Sequence, residues 1–194
     1  MSDLITAEPR RIVLPKDPAH EFIRVMTHAT VEKRTEDYDV FLGILLGKGL
    51  PVWEAEHKAA LGVKPYEIVE GDFNAMVDGG ITLALALLVG GGGTAFNNAN
   101  AALGVGASVT AWNTTQTVLL TTPTYKAMKA TYPQAGTKKQ TFQSDFLTGE
   151  ANIVWNEWGI FNGTAPGTML SRKQENLGTK SSGTWTLTAD FSLA

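Results

Sequence analysis

The 194-residue chain sets 16 Lys and Arg against 19 Asp and Glu, a net charge of −3, and is 43% hydrophobic but only 18% charged. That length can bury a substantial core, while the sparse and slightly acidic charge supplies no basic stripe for nucleic acid. The absence of cysteine excludes disulfides, thiolate metal sites and a cysteine nucleophile, and no apolar segment of signal-peptide form opens the chain, so synthesis in a cytoplasm is expected.

Met1 to Pro18 reads as an arm, punctuated by Pro9, Pro15 and Pro18 and apolar only at Ile12 to Leu14. Such a segment buries too little surface to fold alone and suits the addition of a strand to a neighbour's sheet edge. His20 to Thr30 reads as a strand, Glu32 to Asp39 as a charged break, and Val40 to Leu46 as a short buried strand closed by Gly47-Lys-Gly49. Pro51 to Gly62 predicts a short helix that buries Trp53, Ala60 and Leu61 and leaves Glu54, Glu56, His57 and Lys58 in solvent. Lys64 to Glu70 is extended again.

Asp72 is the expected N-cap of a helix from Phe73 to Val89, in which Phe73, Met76, Val77, Ile81, Leu85 and Leu88 recur in steps of three and four. Ile81 to Val89 is apolar nearly all round, yet a bilayer span needs about 20 such residues. The helix is therefore expected against the sheets or between subunits, with no membrane partner. Gly90 to Gly93 ends it and predicts a hinge. Neither this run nor Leu103-Gly-Val-Gly106 is a phosphate loop. The first lacks the Lys-Ser/Thr that follows the last glycine of such a loop, and the second has Val109 in place of the third glycine.

From Asn97 the chain reads as strand after strand: Ala101 to Gly106, Thr124 to Tyr132, Lys138 to Leu147, Asn152 to Phe161, Thr168 to Lys173 and Thr184 to Leu193. The last alternates without error, Trp185, Leu187, Ala189, Phe191 and Leu193 against polar neighbours. Thr110 to Thr122 reads either as a helical turn or as a loop crossing one end. The fold expected is mainly β, a C-terminal antiparallel β-sandwich with an N-terminal extended arm and one or two helices. The expected division is residues 1–70 as arm and docking region, 71–93 as helix and hinge, and 94–194 as sandwich.

Glu150 to Gly163 is the densest run of strand formers, and it reads as the central strand of that sandwich. Ala151, Ile153 and Trp155 are apolar on odd numbers, Trp158 and Ile160 on even ones, so a β-bulge is expected at Asn156-Glu157. Glu157 is the odd residue of the run. One reading makes it a general acid, which needs a cleft and a second titratable group. The favoured one makes it structural, accepting bonds from amides freed at the bulge or from an arginine such as Arg172. His20, His28 and His57 have no ligand-like spacing, and no calcium loop occurs, so no metal or other cofactor and no catalytic residue is expected.

A family resemblance is carried by Asn97-Asn-Ala-Asn-Ala-Ala-Leu-Gly-Val-Gly106, Tyr125 to Met128, Ala130 to Pro133, Glu150-Ala-Asn152, Trp155 to Asn162, Met169-Leu170, Arg172-Lys173 and Leu177 to Lys180. Together these resemble a group of tailed-bacteriophage virion proteins. Asn156-Glu-Trp-Gly-Ile-Phe161 is similar, more distantly, to the Asn-Glu-x-Gly-Leu-Phe element of phage tail-collar fibre domains. The resemblance covers about residues 71 to 194, with Trp155, Asn156, Glu157, Trp158, Gly159 and Phe161 as its structural signature. It implies a β-rich, non-enzymatic module of the virion, on the capsid, neck or tail. The partners implied are copies of itself, a trimer among the possible forms, and other virion proteins. The alternative is a carbohydrate-binding module of a phage fibre, for which Trp53 and Trp112, outside the expected core strands, would have to carry the host glycan.

Overall fold

The computed structural model describes residues 25–70, 76–165 and 167–193, with the backbone alone at 25–27, 70 and 193. In chain order the elements are β1 (Val25–Lys33), α1 (Glu36–Gly47), α2 (Val52–Gly62), β2 (Glu67–Glu70), α3 (Asp78–Leu88), β3 (Ala102–Gly106), β4 (Thr124–Ala127), β5 (Gln134–Gly136), β6 (Lys139–Phe146), β7 (Val154–Phe161), β8 (Met169–Thr179) and β9 (Trp185–Leu193). The strands form two antiparallel sheets, one ordered β2-β1-β9-β6-β5 and the other β4-β3-β7-β8.

The two sheets share one core because their apolar residues alternate. The first contributes Ala29, Val31, Phe142, Phe146, Trp185, Leu187 and Ala189, the second Leu103, Val105, Trp155, Trp158, Ile160, Leu170 and Leu177. Trp155 stands at the centre, its ring 4.9 Å from Phe146 and 4.9 Å from Trp185, both edge to face. Each large side chain so enclosed contributes about 1.5 to 3 kcal/mol from burial, and the edge-to-face pairs add a smaller amount. A second cluster, Val77, Ala102, Leu119, Phe161 and Met169, forms on the other face of the four-stranded sheet. A third lies within the helix pair α1 and α2 and is built from Tyr38, Leu45, Ala55 and Ala59.

Several expectations change. Three helices are present among the described residues, where one or two were expected. Val40 to Leu46 is not a buried strand but most of α1. The neighbouring charges supply the helix's first turn, since Glu36, Asp37 and Asp39 complement the positive end of its dipole. The charged break is thus the start of a 12-residue helix, and Glu32 and Lys33 belong to β1. α2 forms as expected but buries Ala55 and Ala59, while Trp53 and Leu61 stand in solvent. Small alanines allow close packing against α1, so the bulky residues are turned outward.

α3 begins at Asp78, five residues later than the periodicity predicts for its start at Phe73. Met76 bridges to Ser171 of β8, and the Val77 amide donates to the Leu170 carbonyl at 3.1 Å, so the chain is still extended there. At the strand ends the largest changes are in β8, which runs past the expected Lys173 to Thr179, and in β4, which stops at Ala127 and not at Tyr132. β5 occupies Gln134–Gly136, between the strands expected at Thr124 to Tyr132 and Lys138 to Leu147. The segment from Thr110 to Thr122 contains no helix and crosses the four-stranded sheet as a loop. β1 and β2, from residues 25–70, join β9, β6 and β5 in one sheet, so that sheet draws strands from both sides of the expected hinge. The arm, His20, Asp72 and Phe73 lie outside the described residues.

Candidate functional site

The register between β7 and β8 shifts where the parity changes, but the extra residues stand on β8 and not, as expected, on the run from Glu150 to Gly163 itself. Glu157 pairs with Gln174 and Trp155 with Gly178, so Glu175, Asn176 and Leu177 of β8 stand opposite Asn156 alone. This brings Trp155 and Trp158 into the same core, although they are three residues apart, and turns Glu157 to the opposite face. There the loop between β3 and β4 passes over the sheet.

Glu157 is fully buried and receives donors from two directions. Its Oε1 accepts from the amides of Leu120 at 2.9 Å, Thr121 at 3.0 Å and Ser108 at 3.3 Å. Its Oε2 accepts from Arg172 Nε at 2.8 Å. Arg172, equally buried, donates from Nη1 to Gln116 Oε1 at 3.0 Å and from Nη2 to the Thr110 carbonyl at 3.0 Å. A planar guanidinium can meet a carboxylate on one side and two loop acceptors on the other, which the single ammonium of lysine cannot do. Carboxylate and guanidinium together fasten both limbs of the loop to the sheet.

Close backbone approach makes room for this network. A Cβ on Gly106 would lie 2.5 Å from Glu157 Oε1, and one on Gly159 would lie 2.7 Å from the Ser171 carbonyl. The remaining signature residues also hold the framework. Trp155 Nε1 donates to the Ala151 carbonyl at 3.0 Å, Asn156 Nδ2 to the Ala107 carbonyl at 3.2 Å, and Trp158 Nε1 to Glu175 Oε2 at 3.2 Å. Phe161 packs edge to face on Tyr125 with centroids 4.9 Å apart.

Two clefts flank this framework, and neither is lined by Glu157 or Arg172. The larger, about 840 Å³, lies between α3, the Gly93-Thr94 backbone, the crossing loop and the Asn162 to Met169 turn, and none of its lining residues is ionisable. The smaller, about 330 Å³, separates Leu42, Leu46 and Val52 of the helix pair from Ala127, Met128 and Leu147. Glu56, Lys129 and Asp145 also line it. Lys129 Nζ is 2.8 Å from Asp145 and 3.8 Å from Glu56. Burial works to lower the Lys129 pKa, but Asp145, with Tyr38 and Glu56, outweighs it, and together they hold the ammonium above its usual value. Burial raises the Glu56 carboxyl, and it also raises the nearby Tyr38 phenol. Sequence reading misses this cluster because its members come from four separate elements or loops, and only the fold brings them together.

His57 lies exposed on α2 and His28 half-buried on β1, and no group of three or more His, Asp or Glu among the described residues is placed to hold a metal ion. Trp53 is exposed, whereas Trp112 is half-buried with its indole N–H shielded from solvent. Among the described residues no helix is long and apolar enough to cross a membrane. No protein-family model, curated protein or solved structure matches the chain.

Proposed function

We propose that this chain is a non-enzymatic structural protein of a bacteriophage virion, an antiparallel β-sandwich that assembles with copies of itself and with other virion proteins on the capsid, neck or tail. One observation carries the reading. The run from Trp155 to Phe161, which bears the resemblance to phage virion proteins, is devoted to the core, the bulge and the loop tie, and the Glu157 oxygens are taken up by amide and guanidinium donors. A signature of that kind belongs to architecture and offers no lone pair to a substrate. Large apolar side chains left on the helices, among them Val40, Ile44, Trp53 and Leu88, are the sort of surface that assembly covers.

The test is the composition of the particle. Virions of the encoding phage, purified by banding and stripped of loosely bound protein, should contain this chain in a fixed copy number, and antibody labelling should place it at one location. Its absence from purified particles, despite abundant synthesis in the infected cell, would overturn the proposal.

A further inference from the structure

The helix pair joins the rest of the molecule at few points. α1 and α2 pack chiefly on each other, and their cluster of Tyr38, Leu45, Ala55 and Ala59 is separate from the central core. Both ends of the pair leave the same end of one hairpin: Lys33 of β1 stands opposite Glu67 of β2, and the Tyr66 amide donates to the Lys33 carbonyl at 2.8 Å. The pair can therefore swing about Thr35 and residues 63–65 without breaking the β1–β2 ladder. Its ties to the sheets are polar, Asp39 on Thr148 and Thr184 and Glu56 on Lys129. Beside the Glu56 tie the apolar walls do not close, and Leu42, Leu46 and Val52 stay apart from Ala127, Met128 and Leu147 across the cleft of about 330 Å³. A unit with its own small core, attached through a few polar contacts, opens locally before the molecule unfolds.

The Glu56 tie is the unusual one. Lys129 Nζ lies 2.8 Å from Asp145 and 3.8 Å from Glu56, so two carboxylates share a single ammonium on the cleft wall. With both ionised, the cluster holds an excess negative charge among side chains that are less than a fifth exposed. With Glu56 protonated, a neutral Lys129–Asp145 pair remains. The other cations near the cleft are already engaged. Arg34, just after β1, pairs with Glu32 and donates to Thr186 Oγ1, which itself donates to Asp145, while Lys126 of β4 pairs with Glu150. On the helix side stand Tyr38, whose phenol burial raises, Asp39 in its bonds to Thr148 and Thr184, the Glu54–Lys58 pair and the exposed His57. We propose that the helix pair is a hinged lid latched by Glu56: it lies closed over the cleft while Glu56 is protonated, and ionisation of Glu56 loosens it and bares the apolar walls. Burial, which raises the Glu56 carboxyl against the pull of Lys129, acts in the same sense. In the open lid Glu56 is in water, so closure is firmest below the open-state pKa and weakens as pH rises through the closed-state one.

The lid is a property of the fold and does not rest on a place in the virion, so it is tested on the full-length protein alone. Hydrogen exchange between pH of about 4.5 and about 7, expressed as protection factors so that the intrinsic rate is divided out, reads the opening of residues 36–62. In the wild type their protection should fall by at least about threefold over that range, while β7 and β9 keep theirs. Glu56→Gln, neutral at every pH, should keep the protected level throughout and exceed the wild type at the upper end. Asp39 is present in both proteins, so whatever it adds cancels from the comparison. Asp145→Asn leaves Lys129 to Glu56 alone and should shrink the fall. Wild-type protection that is flat with pH overturns the proposal. So does an equal fall in Glu56→Gln, or one shared by β7 and β9, which would make helices and sheets a single unit. A fall undiminished in Asp145→Asn would remove the shared ammonium as its cause and overturn the latch as well.

Discussion

Arg172 Nε donates to Glu157 Oε2 at 2.8 Å between adjacent strands, and neither side chain retains any contact with solvent. Breaking one partner of such a pair leaves an uncompensated charge in the interior and typically costs about 3 to 5 kcal/mol. If Glu157 served only the loop amides, Glu157→Gln would be tolerated, but the buried guanidinium makes the charge itself necessary. Glu157→Gln is therefore expected to be nearly as damaging as Glu157→Leu in denaturant unfolding. Combining Glu157→Gln with Arg172→Met should cost less than the sum of the two single changes. Additive losses would show that the two groups act independently.

Gly159 is paired with Arg172 and lies against the β8 backbone. Gly159→Ala would place a Cβ 2.7 Å from the Ser171 carbonyl oxygen, a backbone atom that cannot step aside, and is expected to cost about 1 to 3 kcal/mol. At Gly104 the nearest atoms, 2.9 to 3.0 Å away, belong to the side chains of Leu119, Tyr125 and Phe161, so Gly104→Ala should cost less. Gly149, with nothing within 4 Å of a Cβ, is the control. Thermal unfolding of the three variants should rank them in that order.

Asp39 ties the helix pair to the sheets, accepting from the Thr148 amide at 3.2 Å and from the hydroxyls of Thr148 and Thr184. Since α1 and α2 have their own small cluster, separate from the central core, removing this tie should loosen them without opening the sheets. Hydrogen exchange across residues 36–62 should quicken about tenfold or more in Asp39→Ala, the equivalent of about 1.4 kcal/mol of local opening. Amides of β7 and β9 should keep their wild-type protection. Acceleration spread evenly over both regions would mean that the helices and sheets open as one unit.

Burial holds the Glu56 carboxyl above its ordinary value of about 4.5, against the pull of Lys129 at 3.8 Å. A carboxyl whose folded pKa lies above its unfolded one contributes stability that is complete below the unfolded pKa and is lost as pH rises through the folded value. Glu56 should thus draw the melting temperature down as pH is raised from about 4.5. Glu56→Gln removes that titration, so its melting temperature should fall less than that of the wild type over the same window. Parallel curves for the two proteins would exclude the effect.

The sequence by itself determined the strand framework of the second half and the place of the register shift within it, though not that the extra residues would stand on β8. Both follow from the two-residue period of a strand, which any half-buried sheet must obey: β9 alternates from Trp185 onward, and the parity shift between Trp155 and Trp158 can be absorbed only at Asn156-Glu157. Arg172 was also legible as a partner for Glu157, because a buried carboxylate requires donors. Tertiary structure decided the rest. A short apolar run such as Val40 to Leu46 has no period of its own, and its helix depended on the acidic turn before it and the alanines of α2 beside it. The pairing of β1 with β9 joins opposite ends of the chain, a relation that local pattern does not encode. The crossing loop has no periodicity because it forms no ladder, and its position is set by side chains of β7 and β8 reaching its backbone. The exposure of Trp53 and Leu88 depends on which helix face found a neighbour, and periodicity gives the spacing of a stripe but not what lies opposite it.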